Sequence, residues 1–500
     1  MNLLLLILIP LFTAMAVLLC RNKQQVKWIS LVGSLAQLIL AFILCYAYRN
    51  ARLDDTSSLM LFEQNHTLFD ALNINLHLGV DGISVAMILL TAFVVIAGVL
   101  VSWNIDNLPA GKAGMTKEFY FLLVLLSLGA YGFFISLDLF VLFFFLEISV
   151  IPKYLLIGIW GSGKKEYAAN KLALMLMGGS GLILVGILGL YFAGNHSFDL
   201  IGLSNQNIPV NIQHIIFPLL FAGFGVFTAL FPFHTWVPDG HSSAPTAGSM
   251  FLAGISMKLG GYGCLRVAIF LLPEGSKEYA NVIVILAAIG ILYGAFVTMM
   301  QKDLKYINAY SSISHVGFSL LALGMLTPTA MTGAVLQMVS HGLMTALFFA
   351  VIGMIYDRTH TRMVNEMGGL MKVMPFITTI FFIVGLCSLG LPGFSGFIAE
   401  MTVLVGSWQD SDMLHRVATI AAALSIVVTA VYILRAIGLT AMGKLKNENY
   451  SQLTDATWNE RLAGIILVAG ILAIGLYPAW LNDLLKPAVE IIMNRVGVNK

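Results

Sequence analysis

Six charged side chains fall inside stretches otherwise apolar enough to lie in lipid: Glu147, Lys153, Lys258, Arg266, Glu400 and Arg435. A charge at the centre of an isolated span costs about 2.5–3.5 kcal/mol, so each must snorkel to water, find a partner or line a pathway. Arg266 lies near the outer end of its stretch and Arg435 near the inner end of another, and both read as snorkelling side chains. Glu147, in VLFFFLEISVIP, sits about mid-stretch, and a carboxylate is too short to snorkel far. Lys258, in FLAGISMKLGGYG, is also central, among small residues that allow close helix packing. Glu400 ends the run GLPGFSGFIAE. Glu147, Lys258 and Glu400 therefore read as functional rather than as a structural ion pair. His315, in AYSSISHVGFS, and His341, in QMVSHGLMTALF, join them. A lone helical histidine is more often a packing residue. These two fall between Lys258 and Glu400 in chain order and titrate near neutral pH, which suits a proton relay.

The elements that must position these groups are membrane spans. Hydrophobic residues make up 59% of the 500 residues and charged ones only 10%, against about 25% charged in soluble domains. A net charge of +2 offers nothing to nucleic acid. Cys20, Cys45, Cys264 and Cys387 are far apart, with no CxxC pair, so no metal or iron–sulfur site and no disulfide framework is expected. Met1–Leu19 lacks the basic start and cleavage site of a signal peptide and reads as the first span. Crossing the hydrocarbon takes roughly 20 residues, and fourteen stretches qualify: about 2–19, 26–47, 79–102, 118–136, 138–160, 171–193, 214–236, 246–271, 281–300, 306–325, 331–355, 375–406, 416–439 and 461–484. The longest connections, 48–78 and 194–213, read as polar loops on one side. Odd-numbered connections hold most of the loop Lys and Arg, among them Lys23, Lys112, Lys164, Lys302, Arg358 and Lys444; even-numbered ones hold only Arg49, Arg52, Lys277 and Arg416. That asymmetry puts the odd loops in the cytoplasm and both termini outside.

Two spans are broken. The seventh is interrupted at Pro232 and runs into HTWVPDGHSSAPTAGS, with His234 and Pro238; the twelfth is interrupted around LGLPGFSG, at Pro392. Helix breakers at membrane depth are tolerated only where they line protein or water. Two breaks five spans apart suggest that spans 4–8 and 9–13 are copies of one unit, the second inverted because five is odd. The expected organisation is helices 1–3 over 1–117, a first five-helix repeat over 118–271, an inverted repeat over 281–439, and helix 14 with a tail over 440–500. No phosphate loop or GxGxxG after a strand is present, so no nucleotide or flavin cofactor is expected in this chain.

HTWVPDGHSSAPTAGS at 234–249, QKDLKYINAYSSISHVGF at 301–318, YDRTHTR at 356–362, LGLPGFSGFIAE at 389–400 and VDGISVAMILLT at 80–91 resemble the antiporter-like subunits of proton-pumping NADH:quinone oxidoreductase (complex I). The resemblance covers essentially the whole chain, and the APTAGS and HTR runs favour the chain M branch, called subunit 4 in mitochondria. It implies fourteen helices with two inverted repeats, a bacterial inner-membrane location, and neighbouring membrane-arm subunits and lipid as partners. It also implies a proton channel through Glu147, Lys258 and Glu400, with His315 and His341 on its axis, driven by quinone reduction in other subunits. The cation/proton antiporters of the Mrp type and the membrane-bound hydrogenases have subunits that share these motifs, and these form the alternative. One position departs: the lysine that the family carries on helix 7 falls at Phe227 here, and that span has no Lys or Arg. Lys153, just after Pro152 and six residues from Glu147, is expected to replace it; the other readings are that it snorkels or that the channel is impaired.

Overall fold

In the computed structural model, residues 1–54, 58–107 and 115–497 are described; Lys112 lies outside them. The chain is a bundle of long helices. α1 (Leu5–Leu19) and α2 (Lys23–Asp54) lead to a two-stranded antiparallel hairpin, β1 (Leu61–Phe69) and β2 (Ile74–Val80), then to α3 (Gly82–Val101), α4 (Thr116–Ile135), α5 (Leu139–Trp160) and α6 (Lys165–Ala193). A short α7 (Leu200–Asn205) precedes α8 (Val210–Thr228), α9 (Trp236–Ser243), α10 (Thr246–Phe251) and α11 (Met257–Gly263). α12 (Pro273–Met300), α13 (Leu304–Met325), α14 (Pro328–Thr359), α15 (Pro375–Ser388), α16 (Ser395–Trp408), α17 (Met413–Ala441), α18 (Trp458–Leu476) and α19 (Ala479–Val496) complete the chain. Aspartates set several starts: Asp81, Asp138, Asp303 and Asp412 accept backbone N–H groups at the first turns of α3, α5, α13 and α17.

Ten helices among the described residues are long and apolar enough to cross a membrane. The other four expected stretches hold helix of a different kind. α1 is short, α13 carries Asn308, Ser311, Ser312, Ser314 and His315, and α15 and α16 are two halves. The eighth stretch changes pitch twice, with π-helical turns at Leu252–Ser256 and Cys264–Ile269 flanking α11.

Three expectations are corrected. The connection 48–78 holds the β-hairpin, a small exception to an otherwise all-α fold, and β2 takes the first residues assigned to the third span. The last stretch is two helices, since α18 stops at Leu476 and the chain turns at Tyr477 and Pro478. The expected tail is the helix α19, whose apolar face (Leu481, Leu484, Leu485, Val489, Ile492) is buried against the bundle. Among the ten candidate spans the most enclosed is α14, buried throughout its apolar window, with α3 nearly as enclosed. The site is built around α14.

Candidate functional site

α14 carries His341, and its neighbours bring the other groups to it. The π-helical turn before α11 lets Met257 N–H reach the Leu252 carbonyl, a distortion common at functional positions. It also brings the Ala253 carbonyl to Lys258, whose Nζ donates to it at 2.5 Å. The same Nζ lies 2.6 Å from His341 Nδ1. The His341 and His315 rings are 5.8 Å apart, centroid to centroid. His315 Nδ1 is 3.1 Å from Glu400 Oε1, and its Nε2 is 3.2 Å from Ser388 Oγ. Lys258, His341, His315 and Glu400 are each 4% exposed or less, so the row is shut off from bulk water. Gln337 donates to the His315 carbonyl at 3.1 Å, and Ser340 to Ser395 at 2.8 Å, tying α14 to α13 and to the start of α16.

The two helix breaks differ: the first, at Pro232, is exposed, and the second abuts the row at Glu400. α8 ends where Ala229 adopts a left-handed conformation, and Pro232 lies in the turn that follows. α9 then carries Pro238. Between α15 and α16, Gly390 and Gly393 take φ of +65° and +98° on either side of Pro392. That turn lets α16 start beside Cys387 and point Glu400 inward at His315.

Other expected residues lie apart. His234 stacks on Phe231 and meets Tyr293, at 5.3 and 4.8 Å between centroids, outside the row. Glu147 is half-buried on α5, its Oε1 has no hydrogen-bond partner, and no ion pair joins it to Lys153 among the described residues. Lys153 is 1% exposed, which rules out snorkelling. Its Nζ donates to Ser149 Oγ at 3.1 Å and sits 5.9 Å from the centroid of the ring of Phe227, the position at which the resemblance led a lysine to be expected. Arg266 also does not snorkel: it is 1% exposed and forms an ion pair with the fully buried Asp81. Its partner is 185 residues away, which no local reading could supply. Arg435 is half-buried and donates to the Gln301 carbonyl at 3.0 Å.

Sequence reasoning missed two groups. His241 is fully buried against Phe349, ring centroids 5.0 Å apart, with both ring nitrogens unpartnered. Its signal was present, because it is the second histidine of HTWVPDGH. Lys305, read as a loop residue, is 5% exposed and donates to the Ala244 carbonyl at 2.6 Å.

Buried ammonium, imidazole, imidazole and carboxylate in sequence can pass a proton by stepwise protonation. The outer two contacts are already at hydrogen-bond distance, and only the step between the imidazoles needs a ring rotation or a bridging water.

The family profile described as "NADH:quinone oxidoreductase/Mrp antiporter, TM" matches residues 136–429. The chain is 36% identical to NAD(P)H-quinone oxidoreductase chain 4, chloroplastic, of Physcomitrium patens, covering 98% of this chain and 97% of that one. It is 34% identical to NADH-quinone oxidoreductase subunit M of Rickettsia bellii, covering 97% of each. It superposes with a TM-score of 0.88 on a chain of respiratory complex I from Thermus thermophilus with bound NADH, at 26% identity over 99% of this chain and 100% of that one. A chain of the Mrp complex from Dietzia sp. DQ12-45-1b gives a TM-score of 0.85 at 17% identity, over 99% and 98%, a likeness of fold alone.

Proposed function

Because this chain belongs to the NADH:quinone oxidoreductase/Mrp antiporter family of membrane subunits, we propose that it carries protons along the buried row Lys258–His341–His315–Glu400 within a quinone-reducing complex. It is a multi-pass membrane subunit of the subunit M type, working among other membrane-arm subunits. The carrying observation is the pair of contacts at 2.6 Å and 3.1 Å that tie each imidazole to one end of the row. In this reading protons enter from the basic-loop side, reach Lys258, cross to Glu400 and leave on the opposite side, where both termini lie. The stretches 118–271 and 281–439 are inverted five-helix copies of one unit, with one broken helix each. Glu147 modulates the entry half by its charge, and Lys153 supplies the ammonium missing at Phe227. The chain itself holds no redox centre and draws its energy from electron transfer in partner subunits. Each charge moved against 100 mV costs about 2.3 kcal/mol.

The family profile covers both readings and the likeness to the Mrp chain adds fold alone, whereas full-length identities of 36% and 34% favour quinone oxidoreductase. Lys258→Ala and Glu400→Ala in the assembled complex should each lower protons translocated per electron pair severalfold while the complex still assembles. Unchanged stoichiometry in both would overturn the pathway.

A further inference from the structure

Lys258 heads a stripe that the pathway above does not use. Lys258, Tyr262, Arg266 and Phe270 recur every four residues on one stretch of the eighth span, a spacing that keeps them on one helical face. Twelve residues of helix rise about 18 Å, enough to run from the membrane midplane to its surface. The stripe leads away from the basic-loop side, toward the hairpin and α19. Its members are stacked. The Arg266 guanidinium lies 5.7 Å from the centroids of both the Tyr262 and the Phe270 rings. The opposite end of that column is Arg495 of α19, whose guanidinium is 5.5 Å from the Phe270 centroid and whose Nε donates to the Phe270 carbonyl at 2.8 Å. Beyond Arg495 lies a cavity of about 350 Å³ lined also by Glu274, Gln213 and Ser204. α3 holds the column from the side: Asp81 pairs with Arg266, and Ser84 Oγ is 2.9 Å from the Tyr262 hydroxyl. Arg266 Nε and Nη1 have no hydrogen-bond partner, but the Asp81 carboxylate balances the Arg266 charge, so the cation of the column that no ion pair balances among the described residues is Arg495.

We infer that the Arg266–Phe270–Arg495 column is an electrostatic seal that closes the Lys258 end of the pathway to the outer aqueous phase. The Arg495 guanidinium repels a protonic charge entering from the cavity, as guanidinium groups do in water-selective pores, and the Phe270 ring and the neutral Asp81–Arg266 pair fill the way inward behind it. Without such a seal, a protonated Lys258 about 18 Å from that surface could lose its proton straight outward, or gain one from outside, and the row to Glu400 would be short-circuited. The column therefore sets the direction of travel, sideways from Lys258 to His341. The inference rests on Lys258 being a relay group, and the two fail separately: Lys258→Ala tests the relay during turnover, while the seal is tested at rest.

The test uses the whole complex in proteoliposomes, without NADH or quinone, under an imposed membrane potential. Removing Arg266 alone would strand Asp81, so the variant is Asp81→Asn/Arg266→Met, which removes both charges. Passive proton flux should rise about tenfold, equivalent to ~1.4 kcal/mol of barrier, with NADH:quinone electron transfer unchanged and fewer protons retained per electron pair. Arg266→Lys, which keeps the charge, should stay tight. An assembled double variant as tight as the unaltered complex overturns the seal, as does a lysine variant that leaks equally. If the double variant does not assemble, Arg495→Met, which removes the unbalanced cation, decides: a leak supports the seal, and none overturns it.

Discussion

A lysine can snorkel several residues to reach the interface, so the full burial of Lys153 is imposed by its surroundings. Ser149, one turn back on α5, accepts from its Nζ, and the Phe227 ring lies beside it. Six residues of ideal helix turn Lys153 about 240° from Glu147, and the two are indeed unpaired among the described residues. What the sequence could not supply was the third party. Phe227 belongs to another helix, and only packing reveals that the misplaced ammonium and the missing one occupy the same neighbourhood. Lys153→Met should therefore lower proton translocation severalfold while leaving the complex stable, because burying an unpaired ammonium is unfavourable. Lys153→Met/Phe227→Lys should restore it, since a lysine at 227 starts from the spot Lys153 now reaches. Protons counted per electron pair in reconstituted complex decide the matter. Full pumping by the single variant would mean that Lys153 is a buried bystander, and failure of the double variant would mean that its seat on α5 matters.

At the scale of elements, hydropathy made the apolar helices legible because long apolar runs have no other solution in lipid. It failed where an element is not apolar throughout. Only β2 alternates apolar and polar residues; β1, LFEQNHTLF, carries five consecutive polar ones, a run that also suits a loop. α19 hides its amphipathic stripe behind Pro478, so one stretch looked like span and tail. The break between α15 and α16 was legible from its Pro and Gly, but not what the turn accomplishes, which is to aim Glu400 at His315. Gly390 is the tight point. A Cβ there would lie 2.8 Å from Glu400 Oε2, in a backbone conformation that already disfavours any side chain. Gly393 has the same backbone demand, yet its Cβ would meet nothing within 4 Å. Each glycine-to-alanine change should cost about 1–2 kcal/mol of backbone strain, seen as a similar loss of thermal stability. Only Gly390→Ala should also depress proton translocation, by displacing the carboxylate. Equal pumping by the two variants would separate Glu400 from the geometry of the turn.

At the scale of the whole molecule, both membrane faces are cross-tied by ion pairs between separate elements. On the basic-loop face, Arg358 is bound to Glu460 at 2.7 Å and Arg362 to Asp303 at 3.1 Å, fastening distant helix ends. On the hairpin face the tie is His77 of β2, whose Nδ1 is 2.6 Å from Asp199 at the start of α7 and whose Nε2 is 3.3 Å from Glu63 of β1. Arg358–Glu460, Arg362–Asp303 and His77–Asp199 are not readable from a single stretch, because only the bundle brings their elements together, whereas His77–Glu63 is local to the hairpin. Burial alone would lower the pKa of His77. The hydrogen bond and charge of Asp199, reinforced by Glu63, outweigh it and hold the value above the ordinary one. A histidine bound more tightly to its proton when folded contributes stability that is complete below its unfolded pKa, about 6.5, and is lost as pH rises through the higher folded value. Thermal unfolding of the purified complex should therefore show its hairpin-face transition moving to lower temperature as pH is raised above about 6.5. His77→Gln, which cannot titrate, should flatten that slope and start from the lower stability at acid pH. A slope that survives the substitution would assign the pH dependence to other groups. A slope of opposite sign would mean that burial, not the two carboxylates, governs this histidine.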